Sequence, residues 1–140
     1  MAPDPVVLVV HHTVSPHLEA LLAAVLDGTR AEGIEGVDVV VRPALSASCS
    51  DVLAADGVLL GTPANIGYMS GALKHFFDTI YYPCGHATAG MPFGAWVHGN
   101  QDLEGAIRSI QTVTTGLKWR RVIDDVRVVG TPTKDDLEAC

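Results

Sequence analysis

The chain predicts a doubly wound α/β fold: a five-stranded parallel sheet in the order 2-1-3-4-5, with helices on both faces. Three observations carry that expectation. Short apolar, β-branched runs recur along the 140 residues. Segments with apolar residues at helical spacing separate them. Polar, turn-rich loops follow the first, third and fourth runs, where such a sheet presents ligand-binding loops.

The elements read in order. Residues 6–10, "VVLVV", are apolar throughout, as a strand buried on both faces should be. The polar stretch "HHTVSPH" follows. A helix then places Leu18, Leu21, Leu22, Val25 and Leu26 on one stripe, with Ser15 before Pro16 as its start and Gly33 or Gly36 as its stop. Residues 37–41 read as the second strand and residues 46–55 as one or two helical turns. Residues 57–60 form the third strand and 61–68 a loop. The next helix covers about 69–82, with Met69, Ala72, Leu73, Phe76, Phe77 and Ile80 on its stripe. Residues 92–97 make the fourth strand, and "HGNQD" the loop after it. The fourth helix carries Leu103, Ala106, Ile107, Ile110 and Val113, and Gly116 stops it. The fifth strand lies within 120–129, where Asp124 and Asp125 suggest a bulge or an inserted turn.

Composition narrows the function. Hydrophobic residues are 48% of the chain and charged residues 18%, which describes one globular domain over 1–140. The formal net charge is -7, and Lys and Arg cluster nowhere beyond Arg120 and Arg121. A nucleic-acid partner, which needs a basic footprint, is not expected. Residues 6–10 are too short for a signal peptide or a membrane span, so no membrane association is expected. Cys49, Cys84 and Cys140 are odd in number and lack CxxC spacing. No disulfide framework is expected, and a cytoplasmic, reducing location is the simpler reading.

Several chemistries lack their motif. His11, His12 and His17 do not have the HExxH spacing of zincins, and no metal site is expected. Ser70 sits in no GxSxG elbow. Cys84 and His86 have no feature that would lower a thiol pKa. No GxGxxG follows the first strand, and no GxxxxGK[ST] occurs. No protein residue is expected to act as a catalytic acid, base or nucleophile. What remains is the first loop, where Thr13, Ser15 and the start of a helix can hold a phosphate. A simple helix cap is the alternative there.

The stretch "GTPANIGYMSGALKHFFD", residues 61–78, carries the most specific signal. Gly61, Thr62, Pro63, Gly67, Met69, Leu73, Lys74, Phe76 and Asp78 match a signature that resembles flavodoxin-like FMN proteins. The resemblance is to NADPH-dependent FMN reductases and Trp-repressor-binding-protein type quinone reductases. "TVSPHLEALLAAV" is similar to that family's phosphate loop, and "VHGNQDLEGAI" stands in place of its third flavin loop. The match runs in order over about residues 6–130.

The resemblance implies that Thr13, Ser15, His17 and Leu18 surround the FMN phosphate. It implies that the backbone of Ala64, Asn65, Ile66, Gly67 and Tyr68 lies along the isoalloxazine ring, that Thr62 and Pro63 also belong to the cofactor site, and that His98, Gly99 and Asn100 lie near the far edge of the ring. Pro16 replaces a glycine of the phosphate loop and Ile66 a frequent aromatic. The last helix, begun by "TPTKDDLEAC", is cut short, which leaves a sheet face partly uncovered and predicts a homo-oligomer or a longer natural chain. By this resemblance the chain is an FMN-dependent oxidoreductase, with NAD(P)H as donor and a quinone or similar small molecule as acceptor. The alternatives are a flavodoxin-type electron carrier and a degenerate scaffold that has lost FMN.

Overall fold

The computed structural model describes residues 3–140. Strand β1 (Val6–His11) pairs in parallel with β2 (Asp38–Pro43) on one side and with β3 (Gly57–Asn65) on the other. Strand β3 pairs in parallel with β5 (Pro92–Gly99). The fifth position is shared by two short strands, β6 (Arg120–Arg121) and β7 (Val126–Val129), both parallel to β5. The order is therefore the expected 2-1-3-4-5, and the interruption falls at the expected Asp124–Asp125 pair.

Helix α1 (Pro16–Thr29) begins as its sequence predicts. Ser15 is the N-cap, its hydroxyl accepting from the Leu18 amide at 3.2 Å, and Pro16 takes the first helical position, where a missing N–H costs nothing to the helix. The helix stops at Thr29, before either expected glycine; Gly33 and Gly36 belong to the connection that follows. Helix α2 (Cys49–Leu53) starts on a capping box in which Ser48 and Asp51 satisfy each other's amides.

The stretch 61–68 is not a loop along most of its length. Strand β3 runs on to Asn65, with Thr62 and Pro63 in register with Val97 and His98. Past Gly61 the strand no longer has β1 beside it, and such an edge-like position tolerates a proline. The chain then reverses at Ile66 and Gly67. Strand β4 (Tyr68–Met69) returns antiparallel, pairing Ala64 with Met69 and Asn65 with Tyr68. Met69 is thus in a strand, and helix α3 (Gly71–Cys84) starts after the N-cap Ser70. The third helix also runs on past Tyr82, through Pro83. The fourth strand likewise extends to include His98 and Gly99.

Two cores flank the sheet. Toward α3 and α4 (Glu104–Gly116), Leu8, Val58, Leu60, Phe93 and Val97 pack with Phe76, Phe77, Ile80, Ile107, Ile110 and Trp119. On the other face Val9, Trp96 and Val128 pack with Leu18, Leu21 and Val25 of α1. Gly61 permits the Trp96 indole to cross the sheet surface: a Cβ there would lie 2.0 Å from the ring. Helix α5 (Lys134–Ala139) has only six residues, and Leu137 and Cys140 reach this second core as partly buried members.

The cysteine expectation is corrected. Cys49, at the start of α2, and Cys84, at the end of α3, form a disulfide with Cα atoms 6.1 Å apart. Spacing along the chain carries no sign of it, because the packing of α2 on α3 brings the two together. Cysteine usage therefore no longer argues for a reducing compartment. No helix among the described residues is long and apolar enough to cross a membrane.

Candidate functional site

The carboxyl ends of β1, β3 and β5 lie side by side, and the segments leaving them gather at the β1–β3 switch point. Each contributes something different.

The segment after β1 presents amides. His12 donates its N–H to the Gly61 carbonyl at 3.0 Å, which ties this segment to β3. Beyond it, the backbone N–H groups of Thr13, Val14, Ser15 and His17 have no acceptor among the described residues. Together with the positive end of the 14-residue α1 they favour an anion there. Leu18 enters it only through its backbone, since its amide serves the Ser15 cap and its side chain is buried in the second core. His11 acts locally, with its Nδ1 2.8 Å from the Thr13 hydroxyl. Burial, and secondarily the neighbouring His12, lower its pKa, so His11 stays neutral and orients Thr13. The Nδ1 of His12 is buried without a partner among the described residues.

The segment after β3 is the hairpin. Ile66 and Gly67 both have positive φ, 49° and 72°, the backbone of a tight two-residue turn whose favoured sequence is Asn-Gly. A β-branched residue at the first of these positions is strained, by roughly 1–3 kcal/mol. Its side chain is fully exposed at the tip. The turn rests on α4: a Cβ on Gly105 would stand 2.0 Å from the Gly67 carbonyl oxygen. Ser109 adds a second tie, accepting the Met69 amide at 3.1 Å and donating to the Ala106 carbonyl at 2.7 Å. Thr62 is buried inside this construction. Its hydroxyl donates to the Pro63 carbonyl at 2.8 Å and accepts from the Ser70 amide at 2.9 Å, so it braces the hairpin instead of facing solvent. Pro63 is buried as well.

The segment after β5 completes a cavity of about 520 Å³ between the hairpin and the start of α4. Ala64, Ile66 and Gly67 line one side, Gly99 and Asn100 another. Gln101, Asp102, Glu104, Gly105 and Arg108 complete it. Its size suits a bound small molecule. Of the last five, Gln101, Asp102, Glu104 and Gly105 lie within the expected third loop stretch, but none of the five was among the expected site residues. The signal was present, since Glu104 and Arg108 are one helical turn apart on the polar side of α4, but nothing local said that the hairpin would lean on that turn. Glu104 also pairs with Arg127 of β7.

His98 is the clearest relocation. Placed by resemblance at the far edge of the ring, it points to the opposite sheet face. Side chains alternate along β5: Phe93, Ala95 and Val97 face α3 and α4, whereas Trp96 faces α1, and His98 shares its parity. Its ring lies against His17, centroids 5.3 Å apart, and its Nε2 meets the Gly130 carbonyl at 2.8 Å. Apart from Thr62 and Pro63, which are buried in the strand that carries the hairpin, the expected residues fall into two groups. Thr13, Ser15, His17, Leu18 and His98 gather at the start of α1. Ala64, Ile66, Gly67, Gly99 and Asn100 line the cavity, with Asn65 and Tyr68 exposed beside its hairpin.

No family model matches the chain. Over 74 residues it is 35% identical to a flavodoxin of Aquifex aeolicus, a stretch covering 53% of this chain and 39% of that protein. The similar stretch thus spans well under half of that relative. Among solved structures, a flavodoxin from the domain Archaea superposes with TM-score 0.79 at 20% identity, over 96% of this chain and 90% of that one. The rubredoxin oxygen:oxidoreductase of Desulfovibrio gigas superposes with TM-score 0.81 at 17% identity, over 98% of this chain but 33% of that protein. The fold is flavodoxin-like.

Proposed function

We propose that the chain binds FMN at the carboxyl ends of β1, β3 and β5 and serves as an electron-transfer flavoprotein. One observation carries the reading: an amide-lined helix start and a braced, glycine-bearing hairpin leave the adjacent strands β1 and β3 at the switch point of a flavodoxin-like sheet. The residues fit such a group. Free amides of Thr13, Val14, Ser15 and His17 suit a phosphate, and the cavity beside Ala64, Ile66 and Gly67 suits a flat ring with a polar rim. When bound, FMN supplies the redox chemistry, and the protein supplies position and electrostatics. The similarity to a flavodoxin over half the chain favours an electron carrier.

A second reading, an NAD(P)H-dependent reductase of a quinone or similar small acceptor, is favoured by the Gly61–Asp78 signature. In either reading the thinly covered face beside α5 suits a homo-oligomer.

The test has two stages. FMN is added to purified protein and the visible spectrum recorded; a bound-flavin spectrum supports the proposal, and free-flavin behaviour at saturating protein leaves a scaffold. The loaded protein is then given NADPH or NADH with and without a quinone. Rapid oxidation of the nicotinamide identifies the reductase. Electron transfer that requires an added flavoprotein reductase identifies the carrier.

A further inference from the structure

The sheet ends in two edges of unlike chemistry. At one, the fifth position is broken between β6 and β7, and Arg121 and Asp125 stand at the break with Nε and Oδ1 3.4 Å apart. Interruptions and charged side chains of this kind keep an edge from pairing with another chain. The other edge is β2, six unbroken residues from Asp38 to Pro43, with β1 as its one strand partner among the described residues. Its centre is Val39, Val40 and Val41, all half-buried, and exposed Asp38 and Arg42 flank them.

Backbone parity fixes which groups of β2 face outward. The Asp38 amide donates to the Pro5 carbonyl at 2.9 Å, and the Ala44 amide to the His11 carbonyl at 2.7 Å. The even-numbered residues of β2 therefore turn their N–H and C=O groups toward β1, and those of Val39 and Val41 face away from the sheet. The Val41 carbonyl accepts from the Nη1 of Arg42 at 3.1 Å. The amides of Val39 and Val41 have no acceptor among the described residues. Side chains alternate as well. Val40 packs with the core that includes Val52 of α2, and Arg42 reaches Asp51 of the same helix, Nε to Oδ1 3.6 Å. Asp38, Val40 and Arg42 thus share one face.

We propose that the β2 edge is a self-association surface, on which a second copy of this chain lays its own β2 antiparallel about Val40. The segment "DVVVR" is complementary to itself in that register. Val39 and Val41 exchange N–H···O=C bonds with Val41 and Val39 of the second copy, and Val40 meets its counterpart. Asp38 stands opposite Arg42 twice, at non-hydrogen-bonded positions, where facing side chains are closest. A register moved by two residues either way sets Asp38 or Arg42 opposite Val40 and loses the charge pairs. Parallel pairing in register sets Asp38 on Asp38 and Arg42 on Arg42, which is destabilising. Pro43, with no N–H to offer, ends the ladder. Charge complementarity therefore selects both the partner and the register. This edge is separate from the thinly covered face beside α5, carries none of the candidate site residues, and does not depend on the FMN reading.

Sedimentation equilibrium over a wide concentration range tests this in four proteins: the native chain, Asp38→Arg, Asp38→Arg combined with Arg42→Asp, and Val41→Pro. Circular dichroism checks folding. The native chain should form a reversible dimer. Asp38→Arg sets like charges opposite each other twice and should raise the dimer dissociation constant about tenfold or more. The double exchange restores opposite charges and should bring it back toward the native value. Val41→Pro removes an outward N–H and no bond to β1, so it should abolish the dimer and leave the monomer folded. If that variant does not fold, the charge series decides. Amide exchange at Val39 and Val41 should be slow in the dimer and fast in the dilute monomer. A native chain that stays monomeric at millimolar concentration overturns the proposal. So does a dimer that neither Asp38→Arg nor Val41→Pro weakens, which would put the contact elsewhere, as on the face beside α5.

Discussion

The two faces of the sheet are covered unequally. On one, α3 and α4, with 14 and 13 residues, lie over a core that includes Phe76, Phe77 and Trp119, and the Cys49–Cys84 bridge ties α2 to α3. On the other, α1 has 14 residues but α5 only six, about 9 Å of helix against about 21 Å. Below the end of α5 an apolar cleft of about 400 Å³ opens at the amino ends of the strands, among Val7, Leu59, Gly94, Ile123 and Cys140. Its lining is largely apolar, yet it sits at the wrong end of the strands for the switch-point chemistry. Burial there pushes the Cys140 thiol up to about 11, so that cysteine is not a ready nucleophile. The candidate site divides along the same line. Its hairpin is braced by the thick face through Gly105 and Ser109, and its anion end belongs to the thin face through α1 and His98. The bracing of the hairpin and the free amides after β1 come from different layers.

The largest expected effect is on the thick face. Phe76→Ala removes a fully buried ring and should cost about 3–5 kcal/mol, whereas Leu137→Ala, on partly buried α5, should cost about 1 kcal/mol or less. Urea midpoints of the two variants measure the contrast; equal losses would mean that α5 carries more of the fold than its length suggests.

Reduction comes next. Opening the Cys49–Cys84 bridge should lower stability by about 2–4 kcal/mol, because it closes a segment of 35 residues. Thiol counting in denaturant without reductant should find Cys140 alone. Three reactive thiols would remove the staple from the comparison.

Gly67→Val follows. A Cβ there meets no neighbour within 4 Å, but a β-branched residue at φ 72° should destabilise by about 1–3 kcal/mol, and relief of that strain shifts the turn that rests on α4. FMN titration of the folded variant should show binding abolished. Quenching of flavin fluorescence as strong as in the native chain would detach the hairpin from the site.

The smallest effect lies at the start of α1. Pro16→Gly restores one amide toward an anion, and a hydrogen bond to a charged group is worth about 1.5–3 kcal/mol. Part is offset by the freedom of glycine, so a gain of about tenfold in FMN affinity is expected by calorimetry. No gain would mean that the loop is not limited by the missing donor.

Much of the fold is legible in the chain alone. The strand–helix alternation, the strand order, the Ser15–Pro16 start of α1 and the break near Asp124 follow from signals within a few residues of one another: β-branched runs, apolar stripes and caps. The positions of the three site segments follow from the topology those signals imply. What tertiary structure decided is non-local. Residues 62–65 look like a loop until β5 supplies partners for Thr62 and Pro63 and β4 for Ala64 and Asn65. Cys49 and Cys84 look unrelated until α2 packs on α3. Gly105 is an ordinary helix glycine until the turn at Gly67 comes to rest on it. His98 belongs to the loop after β5 in the sequence and to the start of α1 in space, because strand parity turns its ring toward the other face. Each of these depends on a contact between distant segments, and a short window of sequence holds only one side of it.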